Sequence, residues 1–168
     1  EYTEVIEYLN ENIEKGWVDK VNKLRNMLLS GKESRDQIDI LGDDGVPIDY
    51  HVIFNKSEVI DFGLLQQDAF DKIDAVTSIE RQRFMVNVIL DICENSYEFD
   101  DFEEVGSYFK KVINLIKQIN YQEFKSDEFN RLLKELKVLI NERKSPEFNE
   151  SEKLAEEILA TAEYKEEE

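Results

Sequence analysis

The residues best suited to chemistry lie in one short run, Leu65-Gln-Gln-Asp-Ala-Phe70. Two amides, a small residue and an aromatic ring can offer a purine base hydrogen bonds, room to approach and a flat wall, the mixture common in cofactor pockets. The same residues can equally serve structure, with Phe70 packed inside and Gln66 and Gln67 satisfying helix ends. Elsewhere the reactive side chains stand alone. His51 is the one histidine and Cys93 the one cysteine, and together they are too few ligands for a metal site. A single thiol also forms no intramolecular disulfide. His51 falls in an expected helix and reads as a plain surface or half-buried residue; Cys93 falls in an apolar run and reads as a small core residue. The sequence holds no GxxxxGK[ST] phosphate loop, no GxGxxG and no HExxH, so no catalytic and no metal-ligating residue is assigned. With 39 acids in the chain, most carboxylate pairs are solvated neighbours.

One other stretch rises above background. Residues 94–104 carry six acids and no base, interleaved with Tyr97, Phe99 and Phe102. This is either a docking site for a basic helix or an acidic connector between helices, and surface charge is mostly solvated.

The elements around these stretches are helical. Gly and Pro are scarce, at 6 and 2 of 168 residues, and no strand alternation survives counting. Tyr2, Val5, Ile6, Leu9 and Ile13 share a face that Gly16 ends. Trp17, Val21, Leu24 and Leu28 begin a second helix, stopped by Ser30-Gly31. Ser34 and Gln37 suggest a short third helix ending at Gly42. Pro47 can occupy the first position of a fourth helix running to Phe62, with Gly63 loosening its end. The run 64–71 then reads as an ordered loop.

Thr77 and Glu80 form a capping box for the most apolar helix of the chain. Its polar stripe is narrow (Glu80, Arg83, Asn87, Asp91), which places it at the centre of a bundle. Val105, Phe109, Val112, Ile116 and Ile119 define the next helix. Another, from an N-cap at Ser126 to Arg143 and Lys144, carries Phe129, Leu132, Leu133, Leu136, Leu139 and Ile140, and Pro146 stops it. Asn149 and Glu152 cap a last helix bearing Leu154, Ala155, Ile158 and Leu159, which frays into an acidic tail. The expected fold is all-α, a bundle of about six to eight helices, with the bundle over residues 1–145 and an additional helix and tail over 146–168.

A net charge of −18 repels nucleic acid and anionic lipid. No run approaches the ~18 apolar residues of a membrane span, and the lone cysteine suits a reducing compartment. The chain opens at Glu1 without an initiator Met and is expected to be a piece of something longer.

Three ordered stretches carry a family resemblance. Leu64-Leu-Gln-Gln-Asp-Ala-Phe-Asp71 resembles the F-L-Q-Q-N-A-F-D segment that follows the nucleotide-binding core in catalytic A subunits of V/A-type ATP synthases. Thr77-Ser-Ile-Glu-Arg-Gln-Arg-Phe-Met85 resembles that family's P-P-E-K-Q-Y-x-M, and Ile40-Leu-Gly-Asp-Asp-Gly-Val-Pro47 resembles its L-V-G-x-D-x-L-P. Asp68 stands where Asn is usual, and Thr77-Ser78 where two prolines are usual.

The resemblance implies a helical domain at the end of a subunit that alternates with a non-catalytic ring subunit and faces the central rotor stalk. Domain motion there links ATP hydrolysis or synthesis to rotation and to proton or sodium transport. ATP or ADP with magnesium, and the phosphate loop, belong to the rest of such a subunit, so the intact subunit is an ion-transporting ATPase while this chain alone is inactive. It also implies Gln66, Gln67, Ala69 and Phe70 as adenine-side contacts and a cytoplasmic place, peripheral to the membrane. Charge alone suggests 94–104 as the rotor-facing contact. The competing reading is a free-standing acidic helical adaptor that binds partner helices and no nucleotide.

Overall fold

The computed structural model describes residues 13–65 and 78–146, with positions 3, 4, 7, 10 and 11. Within them lie five α-helices: α1 (Trp17–Leu41), α2 (Ile48–Ile60), α3 (Ile79–Glu94), α4 (Phe102–Asn120) and α5 (Asp127–Arg143). The fold is all-α as expected, and among the described residues it has no strand beyond an isolated backbone bridge between Tyr97 and Lys144.

Five described helices stand against the six to eight expected, because two expected helices are one and two others fall largely or wholly outside the described residues. Ser30-Gly31 does not stop α1, which runs 25 residues to Leu41. Leu24, Gly31 and Ile38 recur at seven-residue spacing on its buried side, joined by Ser34. Gly31 lies where α1 crosses α2, and a Cβ there would overlap the Ser57 side chain. The glycine is a contact point that lets two helices approach, which outweighs the ~1 kcal/mol a mid-helix glycine costs. Gly42 is the true stop: at φ 82° its N–H reaches the Ile38 carbonyl at 2.8 Å. The expected helices over 2–13 and from 149 onward fall largely or wholly outside the described residues.

Pro47 lies just before the first helical residue of α2, in extended conformation. After Ile60 the chain makes one wide turn, Asp61–Leu65, in which amides reach back five residues. Leu64 and Leu65 thus belong to this turn, and not to a loop.

The core is built from stripes. Val105, Phe109, Val112, Ile116 and Ile119 of α4 are each at most 1% exposed, and they meet Phe129, Leu132, Leu136 and Ile140 of α5. Helix α3 is not the central helix its composition suggests: among the described elements α2 is the one packed on α1, α3, α4 and the turn that follows it, while α3 leaves Ile79 and Phe84 exposed. Helix α3 is tied by polar contacts to α1 through Lys20–Asn87 at 2.7 Å and to α2 through Lys56 Nζ donating to the Asn95 carbonyl at 2.7 Å. Its rings meet α5 through Phe84 and Phe129, 5.8 Å between centroids. The cap of α3 is Ser78, whose hydroxyl accepts from the Arg81 N–H at 3.1 Å; the Thr77–Glu80 box is displaced by one residue. Ser126 caps α5 as expected, accepting from the Phe129 N–H at 3.2 Å.

Candidate functional site

Gln66, Gln67, Ala69 and Phe70, which the family resemblance implies as adenine-side contacts, lie outside the described residues, as do Asp68 and Thr77. What the structure describes is the frame on either side of them. The chain leaves through the wide turn at Leu65 and re-enters at Ser78; both of these residues are exposed, and the nearest buried ones are Gly63 on one side and Arg81 on the other.

On the leaving side, Gly63 is buried against α3 and α4. A Cβ there would come within 2.5 Å of Ile89 Cδ1 and 3.2 Å of Ile116 Cγ2, so the turn presses its backbone directly onto core side chains. Asn120 Nδ2 donates to the Gly63 carbonyl at 3.2 Å, which ties the turn to the end of α4. The other amide atom, Asn120 Oδ1, is buried without a hydrogen-bond partner among the described residues.

On the returning side, Arg81 is 6% exposed. Its guanidinium donates to the carbonyls of Gln122 at 2.6 Å, Asn120 at 2.9 Å and Ile119 at 3.1 Å. These are carbonyls at and beyond the last turn of α4, where a cation complements the helix dipole. The group also lies over the Phe129 ring, 5.6 Å from its centroid. Arg81 therefore locks α3, the end of α4 and α5 together, three residues after the chain re-enters.

Sequence reasoning missed this residue. The signal was present: Arg81, Met85, Ile89 and Ile92 share the buried face of α3, whereas the stripe read as polar begins at Glu80.

Between the flanks, α1 and α3 border an apolar groove of about 470 Å³, walled by Trp17, Leu24, Leu28, Leu64, Leu65 and Met85 and edged by Arg25 and Arg81. It opens beside the point where the chain departs. Its walls suit an aromatic or aliphatic side chain, and Arg25 stands exposed at its edge.

His51 is not the surface or half-buried residue expected from the sequence. It is 6% exposed, with Nε2 2.9 Å from the Asp43 carbonyl and its ring stacked on Phe102 at 5.2 Å. The stack on Phe102 and the nitrogen at the Asp43 carbonyl pin the turn before α2. Cys93 is buried as expected, and burial pushes its thiol up to about 12, which makes it inert as a nucleophile. Among the described residues no cluster of His, Cys, Asp and Glu could hold a metal, and no helix is long and apolar enough to cross a membrane.

The acidic stretch divides cleanly by residue type. Tyr97 and Phe99 turn inward onto Tyr108 and Phe109, with centroids 5.4–6.0 Å apart. The Tyr97 hydroxyl donates to the Ile92 carbonyl at 2.6 Å, and burial holds that phenol well above the usual range. Asp101 caps α4, accepting from the Glu104 N–H at 2.8 Å. Glu94, Glu98, Asp100, Asp101 and Glu103 face solvent. The stretch is thus a structured connector with an acidic outer surface.

The chain's pattern matches known proteins in one family. The description "C-terminal domain of V and A type ATP synthase" fits residues 7–98, more than half of the chain and including both flanks of the undescribed segment. A V-type ATP synthase alpha chain of Borrelia duttonii is 36% identical over 120 residues, 71% of this chain and 21% of that protein. The alpha chain of Borreliella burgdorferi is 33% identical over 132 residues, 77% of this chain and 23% of the relative. That of Protochlamydia amoebophila is 28% identical over 128 residues, 76% and 22% respectively. The chain spans about a fifth of the length of these curated relatives.

Proposed function

The chain belongs to the family of the C-terminal domain of V and A type ATP synthase, and from that membership we propose that it is the coupling element of a rotary ATP synthase. In this reading it forms part of a longer catalytic subunit, alternates in a ring with a non-catalytic subunit, and presses on a central rotor stalk. ATP or ADP with magnesium is held by the rest of the subunit, and this chain alone hydrolyses nothing. Gln66, Gln67, Ala69 and Phe70 line the adenine: Phe70 as an apolar wall, Ala69 as the gap that admits the base, the two amides as hydrogen-bonding groups. The acidic outer surface of 94–104 faces the rotor, and the complex is peripheral on the cytoplasmic side of its membrane.

The observation that supports this most is the anchoring of both flanks of the 66–77 segment. A base contact that displaced this segment would pull on Gly63 at one end and on Ser78 and Arg81 at the other. Close-packed interiors transmit such displacements and do not absorb them. Nucleotide then shifts the bundle between positions by its differential affinity for them. The chain's own part is to hold one side of the base and carry its occupancy to α3, α4 and α5.

The experiment is photolabelling of the assembled complex with an adenine-azido nucleotide. Label recovered on residues 66–70, with a raised nucleotide KM in Phe70→Ala, is the expected result. Label found only on other segments, with Phe70→Ala unchanged, rules the adenine contact out.

A further inference from the structure

The residues just before α1 do not continue its axis. Gly16 stands in the left-handed region, at φ 77° and ψ 14°, with nothing within 4 Å of the position of a Cβ. The turn at Gly16 lays Ile13 and Glu14 against α3. Arg83, 70 residues further along the chain, donates from Nη1 to the Ile13 carbonyl at 2.9 Å. The Glu14 carboxylate accepts from Lys20 Nζ at 2.9 Å and from Asn87 Nδ2 at 3.1 Å. Lys20 Nζ also donates to Asn87 Oδ1 at 2.7 Å, which closes a ring of three side chains. The hydrogen bonds from Lys20 and then Asn87 hold the Glu14 carboxyl below its ordinary value, so the charged form is the one gripped.

This joint differs from the one at Arg81. Arg81 is 6% exposed and seals three helices together. The contacts of Glu14 are polar and partly exposed, with Lys20 and Glu14 at 27% and 30%. Parting them uncovers little apolar surface, and each is weak by itself. Gly16 lies between this polar grip and Trp17, which packs on the hydrophobic core. A glycine in open space at that point can change its backbone angles without a clash, as a hinge at the end of an element must.

The helix that supplies Arg83 and Asn87 is also the one that starts just after Ser78, where the 66–77 segment ends. From Ser78 to Arg83 is about 7.5 Å along the helix at ~1.5 Å per residue. A displacement delivered at the start of α3 is therefore felt at the grip on Ile13 and Glu14.

We propose that Glu14, Lys20, Arg83 and Asn87 form a releasable clasp with Gly16 as its pivot, closed in this structure and open in a second position of the bundle. In the coupling reading, on which this rests, the clasp sets the angle between the bundle and the chain that leads into it.

The test bridges the clasp in the assembled complex, stripped of its other accessible thiols. Glu14→Cys and Asn87→Cys are joined by a short bifunctional thiosulfonate, and Cys93, 3% exposed, stays in place. The bridge should form within one subunit, slow ATP hydrolysis and ATP-driven rotation by about tenfold or more, and release both on reduction. A control bridge along one face of α4, Ser107→Cys with Lys111→Cys, should leave both rates unchanged. Failure of the clasp pair to bridge overturns the proposal. So does a bridged complex no slower than its reduced form, and ATP-driven rotation of the native complex then leaves coupling intact. Absence of such rotation in the native complex contradicts coupling itself, and the clasp with it.

Loosening supplies a second readout. The amides of Trp17 and Lys20 donate to the carbonyls of Glu14 and Gly16 at 3.0 and 3.1 Å. In Arg83→Ala with Asn87→Ala their hydrogen exchange should quicken several-fold, while the α4 amides over 109–119 stay as they were. Unaltered exchange at Trp17 and Lys20 overturns the proposal too.

Discussion

Two helix pairs in this molecule meet by opposite means. The α4–α5 pair fills its interface, with Phe109, Val112, Ile116 and Ile119 against Phe129, Leu132 and Leu136, all at most 2% exposed. The α1–α2 pair empties its interface: Gly31 and Ser34 on one helix and Ser57 on the other bring the backbones together. A filled interface is stabilised by the area it removes from water, and its tolerance depends on volume. An emptied one is stabilised by close backbone approach, and any added atom is a defect.

The two pairs should therefore respond inversely to deletion and addition. The largest effect is expected for deletion in the filled pair, where Phe109→Ala should cost about 3–5 kcal/mol in denaturant unfolding. Addition in the emptied pair comes next. Gly31→Ala should cost about 1–3 kcal/mol, and adding Ser57→Gly should return part of it, because the Ser57 side chain is what the new methyl meets. A loss at Gly31 that ignored Ser57 would mean that the methyl does not meet that side chain.

Gly106 is the opposite case to Gly31: it is an exposed glycine within α4 with nothing within 4 Å of the position of a Cβ. Gly106→Ala should stabilise by about 0.5–1 kcal/mol, measured in the same way.

The smallest effect concerns the carboxyl of Glu58, which partial burial, followed by the neighbouring charge of Asp61, raises above its ordinary value. A carboxyl with a raised folded pKa weakens the folded state wherever it is ionised, and the penalty vanishes once pH falls below the unfolded pKa. Glu58→Gln should thus raise the melting temperature slightly at about pH 7 and leave it unchanged near roughly pH 3.

The difference between the pairs also explains what the sequence disclosed. Stripes of large apolar residues announce themselves by period, so α4, α5 and the caps at Ser126 and Gly42 were legible. Gly31 was not, because glycine marks both a helix stop and a helix crossing, and only the partner helix decides which. Arg81 was hidden for a related reason. A charged residue reads as surface until one sees carbonyls at the end of another helix, some forty residues later, awaiting a donor. His51 was misplaced in the same way, since Asp43 and Phe102 complete its environment from two separate turns. The adenine-side residues were legible only through resemblance, because two glutamines, an alanine and a phenylalanine have no period or cap pattern of their own.

Coupling by bundle movement is most directly tested by single-molecule energy transfer in the full-length subunit, assembled with its partners. One dye is placed at Lys134→Cys on the exposed side of α5 and the other on the nucleotide-binding core. Two distances are expected, whose populations follow nucleotide occupancy and change in step with rotor angle. A single distance, unmoved by nucleotide while the complex hydrolyses ATP and turns, would contradict it.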